Sequence, residues 1–353
     1  MPQAGRSVTI EDVARVAGVS RAAVSKVIRT AYGVSPEMRA KVQTAIDRLG
    51  YRPRASARAM RGSSYTIGVE IPNIHNLFFP KIITGATTAL EGTPYQLILA
   101  PTGPEENEGP EAIEALADRQ VDGIITIGTR VSLEWMESLA ESIPLVAIGQ
   151  HYDSIHFDTL ANDDAAGTDM VIAHLIGLGH HRIAHLTLSR PSAAPGTPHK
   201  ARLESYLASM ARRGLAPEIV TVDSGEDVMG EAVRTWLAGA DGPLAVFAAH
   251  DELALGLLGV VSDLGLSAGQ ASVVGYDDTA VAAHPRISLT SVNQSGTSMG
   301  AMAIRLLFER ISGRRDPVHA VLAPALKVRR SSAAPEEWHP HKATRQGGGS
   351  SPS

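Results

Sequence analysis

From about residue 64 onward the chain alternates short β-branched runs with helical stretches, and this alternation restricts the fold more than any other feature. Strand-like pieces read TIGVEI at 66–71, YQLILA at 95–100, DGIITIG at 122–128, PLVAIG at 144–149, IAHLTL at 183–188, LAVFAA at 244–249 and ASVVGYD at 271–277. Helical segments such as FPKIITGATTALEG (79–92) and AAGTDMVIAHLIGLG (165–179) lie between them. Strands that alternate with helices pair in parallel, because the crossover helix returns the chain to the same end of the sheet. The run is too long for one sheet, so the pattern predicts two similar α/β lobes with parallel sheets.

Composition places this body in a soluble class. Of 353 residues 44% are apolar and 20% charged, the balance of a globular protein of two or three domains. There is no cysteine, which excludes a disulfide framework and thiolate metal sites and fits a reducing, cytoplasmic location. MPQAGRSVTIEDV has no apolar core of a signal peptide, and no run reaches 18 apolar residues, so neither export nor a membrane span is expected. The net charge of −5 is unevenly spread. Residues 1–62 hold twelve Arg and Lys against four Asp and Glu, a net +8 that leaves −13 on the remainder. A basic head on an acidic body is the footprint of nucleic-acid binding by the head.

The head explains that charge. Thr9 starts a first helix, with Asp12 three residues on in a capping-box arrangement, and Ile10, Val13, Ala14 and Ala17 share one face. Gly18 suits a tight left-handed turn, Val19 is an apolar plug and Ser20 caps a second helix whose buried side is Val24, Val27 and Ile28. Ser35, Pro36 and Gly50 bracket a third helix that turns Val42, Ala45, Ile46 and Leu49 inward. Helix, glycine turn, short helix and supporting helix is the helix-turn-helix plan, against which stands a small bundle with no ligand. In that plan Ser20 sets the start of the second helix at the major groove. Arg21 then suits a bidentate contact to guanine, Ala22 and Ala23 suit thymine methyls, and Ser25 and Lys26 suit phosphates or neighbouring bases.

An enzyme reading finds little support. GLGHHR (177–182) lacks the third glycine of a dinucleotide loop and follows a helix instead of a strand, so Gly179 reads as a helix terminator. No Walker sequence, G-x-S-x-G or H-E-x-x-H occurs, and the thirteen histidines show no carboxylate-supported ligand spacing. No catalytic residue, metal or cofactor is expected.

TIEDVARVAGVSRAAVSKVI, LGYRPRASARAM (49–60) and the following RGSSYTIGVEIPN resemble the LacI/GalR family of bacterial transcriptional regulators. IPNIHNLFF, IPLVAIG, NDDAAG, HLIGLGHHRIAHL and SVVGYDD extend the resemblance over about residues 8–330. Ala23 departs from the family's threonine, Lys26 from its arginine, Met60 from its hinge leucine and Leu77 from its proline. The resemblance implies a helix-turn-helix domain over 8–53, a hinge helix over 54–63, and a periplasmic-binding-protein-like effector and dimerisation domain over 64–330. Its first lobe would be about 65–162 with 292–321, and its second 163–291 with 322–330. The Ser-, Pro- and Gly-rich tail 331–353 reads as disordered and carries no leucine heptads, so a homodimer is expected.

The implied DNA contacts add Thr9, Arg29, Tyr51, Arg54, Ala57, Arg58 and Met60, the last as an apolar wedge in the minor groove or as packing between hinge helices. The implied effector site takes Arg202, His250, Asp277 and Gln294, with Asn76, Phe78 and Phe79 as the first lobe's wall. Simpler roles stand beside these: a surface ion pair for Arg202, a turn cap for Asp277, core packing for the two phenylalanines. The expected partners are double-stranded operator DNA with an inverted repeat, a small effector of the sugar class, and a second copy of the chain. The expected function is a repressor switched by that effector, against an activator or a co-repressor-dependent regulator. A sugar-transport protein of the same body would need a signal peptide, and a nucleotide-using enzyme would need a phosphate loop.

Overall fold

The structure, a computed structural model, describes residues 8–28, 33–51, 63–72, 76–102, 110–188, 198–223, 229 and 231–338. The chain divides into two units, Met1–Ser64 and Tyr65–Ser353. The first contains helices α1 (Ile10–Ala17), α2 (Arg21–Ile28) and α3 (Pro36–Leu49). The Asp12 carboxylate accepts from the Thr9 N–H at 3.0 Å while the Thr9 hydroxyl accepts from Asp12, so the capping box is closed. Gly18 turns the chain at φ 64°, and the next N–H, from Val19, returns to the Ala14 carbonyl at 3.0 Å. A side chain at that angle would be strained. Ser20 accepts from Ala23 N–H at 3.1 Å and Ser35 from Met38 N–H at 3.2 Å. Val13, Ala14, Val24, Val27, Val42 and Ala45 close the core, with Ile10, Ala17, Ile28, Ile46 and Leu49 half-buried around it.

The second unit holds two six-stranded sheets. The first contains β1 (Thr66–Ile71), β2 (Gln96–Pro101), β3 (Gly123–Ile127), β4 (Leu145–Ile148), β5 (Asp158–Asn162) and β11 (His319–Leu322), in the spatial order β11-β5-β4-β3-β1-β2, all parallel. The second contains β6 (Ile183–Leu188), β7 (Glu218–Val222), β8 (Leu244–Ala248), β9 (Ala271–Tyr276), β10 (Thr290–Asn293) and β12 (Ala325–Lys327). Its order is β12-β10-β9-β8-β6-β7, and only β12 runs antiparallel.

Helices α4 (Phe79–Ala89) and α11 (Gly296–Ile311) cover one face of the first sheet, and α5 (Glu111–Asp118) and α6 (Leu133–Ala140) the other. In the second lobe α7 (Asp164–Gly177) and α8 (Pro198–Arg212) lie opposite α9 (Glu231–Ala238) and α10 (Asp251–Asp263). The chain passes between the lobes after β5, after β10 and after β11. At each passage a strand's C-terminal end delivers the chain to the space between the two sheets, the place where open α/β sheets bind ligands.

Two expectations need correction. The segment returning to the first lobe was set to begin at 292, but Val292 pairs with Tyr276 and Leu326, and Asn293 with Ala325, so both stay in the second sheet. Leu322, assigned to the second lobe, pairs with Asn162 of the first. The tail also starts later than its composition suggests. Ser331 and Ser332 are buried; the Ser331 hydroxyl donates to the Val273 carbonyl at 2.6 Å and its carbonyl accepts from Val273 N–H at 2.7 Å. Glu336 N–H reaches the Gly269 carbonyl at 3.0 Å, and Trp338 packs on the second lobe's core. These residues satisfy backbone groups beside β9 that would otherwise be orphaned. Residues 339–353 lie outside the described residues. Gly179, with φ 102°, ends α7 as its sequence context predicts.

Candidate functional site

In the helical unit the start of α2 presents Arg21, Ala22 and Lys26 to solvent, with Ala23 half-buried. The Arg21 side chain is 63% exposed and its nearest counter-ion is Glu11 at 3.6 Å, a loose pair that a phosphate or base would displace at little cost. Ser20 is exposed, its hydroxyl engaged as the cap. Thr9 is likewise committed to its capping box. Tyr51 is half-buried and packs against the three-helix core. Ser25 departs from expectation. It is only 8% exposed, because it follows Val24 onto the packed side of a helix whose Val24, Val27 and Ile28 all turn inward. Arg29, Arg54, Ala57, Arg58 and Met60 lie outside the described residues.

In the second unit the first two crossovers converge on Arg202. Its α8 position places the guanidinium beneath the C-terminal ends of the second sheet, where it is 3% exposed. Nε donates to Asp164 Oδ1 at 2.8 Å, one terminal nitrogen to the Ala249 carbonyl at 2.7 Å, and the other to Gln294 Oε1 at 3.1 Å. The guanidinium carbon stands 3.7 Å from the centre of the Tyr276 ring. Gln294 passes the contact on, its side-chain amide donating to the Asp277 carboxyl, while its backbone carbonyl accepts from Asn162 Nδ2 at 3.3 Å. Tyr276 completes the ring by donating to Asn162 Oδ1 at 3.1 Å. Asn162 stands at the first crossover and Gln294 at the second. Two of the three connections between the lobes are therefore tied into one buried network.

The charges in this network are unequal. Burial opposes ionisation of Asp164, but Arg202 and His151 outweigh it and hold the carboxyl below its ordinary range. Burial pushes Asp277 well above the usual carboxylate range, and Arg202 offsets only part of that. The hub thus carries one matched ion pair and a carboxyl that favours its neutral, hydrogen-bonding form. Asp277 sits at φ 120°, an angle L-residues rarely adopt, and its neighbour Asp278 at φ 47°. Asp251 pins the adjoining turn by accepting from Thr279 N–H at 2.7 Å and from the Ser291 hydroxyl at 2.6 Å. Asp278 accepts from Asn293 at 2.7 Å and from Arg329, so it supports the turn.

His250 caps α10, its Nδ1 accepting from Leu253 N–H at 3.4 Å. That contact leaves the ring proton on Nε2. Burial and the nearby Arg202 lower its pKa to about 3, so it stays neutral. His199 of α8 meets it edge-on with ring centres 5.4 Å apart.

The first lobe's wall differs from its expected form. Phe78 is 7% exposed and belongs to that lobe's core, close against Gly296. Phe79 packs half-buried on the same cluster, and Asn76 Oδ1 accepts from Phe78 N–H at 2.8 Å, shaping the entry to α4. Neither ring forms an open platform. Instead Lys81 donates to the Asp277 carbonyl at 3.4 Å and also to that of Asp278, and His151 stands 3.6 Å from Asp164. Sequence reasoning did not single out Asp164, Asn162, Tyr276, Lys81, His151 or His199 for the site. NDDAAG at 162–167 was the available signal for the first two. Among the described residues no group of three His, Cys, Asp or Glu side chains is placed to hold a metal ion. The network supplies paired donors and acceptors and lacks an activated nucleophile, the equipment for binding rather than turnover.

Comparison with known proteins agrees with both units. Residues 9–54 match the family described as bacterial regulatory proteins, lacI family, and residues 172–332 match the periplasmic binding protein-like domain. The chain is 33% identical over 309 residues to catabolite control protein A of Priestia megaterium, covering 85% of this chain and 92% of that protein. It is 31% identical to the ribose operon repressor of Escherichia coli (strain K12), covering 86% and 93%. The solved complex of the transcriptional regulator CelR with cellobiose superposes with a TM-score of 0.66 at 31% identity, covering 92% of this chain and all of that one. A lac repressor dimer bound to operator and an anti-inducer shares the fold at a TM-score of 0.76 and 24% identity. With helix-turn-helix unit, two-lobed body and full-length relatives in agreement, the chain belongs to the LacI family of bacterial regulatory proteins and is a DNA-binding transcriptional regulator, not an enzyme.

Proposed function

We propose that this regulator is a cytoplasmic, homodimeric repressor that binds an inverted-repeat operator and answers to a sugar held between its two lobes. The observation that carries the effector half is the Arg202 network. It joins residues from two of the crossovers to a carboxyl whose charge burial disfavours and a cation already matched by Asp164, which suits a ligand with many hydroxyls and no net charge. Arg202 and Gln294 then hold the ligand indirectly or by exchanging a present partner for a hydroxyl, while Asp277 and His250 Nε2–H donate to it. Relatives named for ribose and cellobiose support this class. The DNA half rests on Arg21, Ala22, Ala23 and Lys26 at the start of α2, together with Arg29 and the hinge segment 54–63, which carries Arg54, Ala57, Arg58 and Met60. The two halves communicate by population shift, because an effector that prefers one lobe arrangement changes how the paired hinges fit the operator.

The test joins both halves. Operator sequences are first selected from random DNA with the full chain, and affinity is then measured with ribose, cellobiose and a panel of mono- and disaccharides. A sugar that shifts both operator affinity and melting temperature supports the reading. At a hundred times its dissociation constant it should stabilise the folded chain by about 2.7 kcal/mol. Selection of an inverted repeat together with indifference to every sugar, and response to a charged metabolite, would overturn the effector class and keep the DNA function.

A further inference from the structure

Besides the Asn162 bonds at the crossovers, two polar contacts between the lobes have different chemistry. Lys81 reaches the carbonyls of Asp277 and Asp278, a contact between an amino group and backbone dipoles. The second joins His151 of the first lobe, just past β4, to Asp164 at the start of α7 in the second. Both partners are anchored within their own lobes. The residue before His151 donates from its Gln150 amide to the Thr129 carbonyl, and Gly149 N–H bonds to Leu160 at 2.7 Å. Asp164 is fixed through Oδ1 by Arg202, which leaves Oδ2 directed at the imidazole, 3.6 Å away. Here the lobes also touch closely, since a Cβ on Gly149 would lie 3.6 Å from Pro198 at the start of α8.

We propose that His151 and Asp164 form a proton-operated clasp that favours the closed arrangement of the two lobes. The clasp concerns regulation of the cleft assigned above to the effector, though its test needs no effector. The carboxylate is 3% exposed and its other oxygen is already paired, whereas the imidazole is 36% exposed and can exchange its proton with solvent. The groups facing His151 are Asp164 and the α7 cap Asp163, both of which favour its charged form. Arg202 stands behind Asp164, and Asp153 lies two residues along the same segment. On the α8 side His199 is held neutral by burial and by His250, Arg202 and Arg130 around it, so it adds no competing charge. Opening the lobes returns His151 to water and separates it from Asp164. Asp164 raises His151 above its ordinary 6.5, with partial burial opposing, so protonation and closure are linked. The contribution is fully present below 6.5 and is lost as pH rises through the raised value, while the Lys81 and Asn162 contacts remain.

The absence of native cysteine gives a clean measurement. Cysteines replacing the exposed Ser138 in α6 and Thr235 in α9 place one spin label on each lobe of the full chain. Pulsed electron spin resonance then reads the inter-label distances at about pH 5.5 and about pH 8, on either side of an ordinary imidazole titration. The expected result is a shift toward the shorter, closed population at the lower pH. That shift should vanish in His151→Gln, while His151→Lys should hold the short population at both pH values. A wild-type distribution that ignores pH, or a shift that persists in His151→Gln, would overturn the clasp. Neither result bears on whether the effector is a sugar.

Discussion

Arg202 is the residue on which the second lobe depends most, since all three guanidinium nitrogens are engaged and the fork faces a buried carboxylate. Arg202→Ala would leave the buried Asp164 with only the half-exposed His151 as a counter-ion, a change worth about 3–5 kcal/mol in comparable pairs and readable as a lower urea midpoint. Lysine keeps the charge but cannot span three acceptors, so Arg202→Lys should recover only part of the loss. Asp277 predicts the opposite sign of pH dependence from the ion-paired Asp164. Its folded pKa is raised, so its contribution is fully present below 3.8 and declines as pH rises through the folded value. Asp277→Asn, which tolerates the positive φ, should therefore melt higher than wild type at alkaline pH and lose that advantage in acid. Thermal melts at both ends of the range decide this. In the helical unit Arg21→Ala should cost about 1–3 kcal/mol of operator binding and relax preference at one base pair, whereas Lys26→Ala should weaken all sequences evenly. Competition titrations with single-base operator variants separate the two. Arg202, Asp277 and Gln294 were legible in the sequence because each sits in a short motif. Their partners were not, because Asn162 and Gln294 lie 132 positions apart and Asp164 and Arg202 lie 38 apart, separations that no local pattern reports. Phe78 misled because adjacent aromatics read alike whether they line a wall or fill a core.

Elements were read best where residue type and environment agree. TIGVEI and IAHLTL became β1 and β6 without change, since β-branched residues there meet a packed sheet on both faces. DTLAN and TSVN were missed as strands because Asp, Asn and Ser are poor strand formers. They form strands only because tertiary partners compensate, as Arg314 does for the fully buried Asp158. The closest helix crossing in the first lobe was equally hidden. Gly85 of α4 lies against the backbone of Thr297 and Gly300 of α11 against the Ile82 carbonyl, and a methyl at either would overlap those atoms. Gly300→Ala should force the helices apart and cost about 1–3 kcal/mol. Gly177→Ala, at a helix position with open space around it, should be neutral or slightly stabilising. Calorimetry on the two variants tests whether contact rather than helix propensity governs the seam. The C-terminal strap gives a similar contrast: a chain ending at 338 should melt like the full chain, and one ending at 330 should melt lower, having lost the Ser331, Ala333 and Glu336 bonds.

For the whole molecule, the separation of charge sets the conditions under which regulation is visible. A head of net +8 on a body of −13 binds DNA largely through released counter-ions. Operator affinity should therefore fall steeply, on the order of a thousandfold, from low to moderate salt, and a flat response would contradict the basic-head mechanism. The threading of the lobes also carries a consequence for how the protein is made. On the ribosome the first lobe emerges early, but its core stays open until α11 and β11 arrive from residues 296–322. The second lobe, continuous from α7 to β10, has all but its last strand by then and can fold while synthesis continues. The lobe nearest the N-terminus in sequence thus waits for nearly the whole chain before its core can close. During that interval the uncovered α4 face of its sheet is the nascent chain's exposed apolar surface, and it is there that a chaperone would be expected to bind.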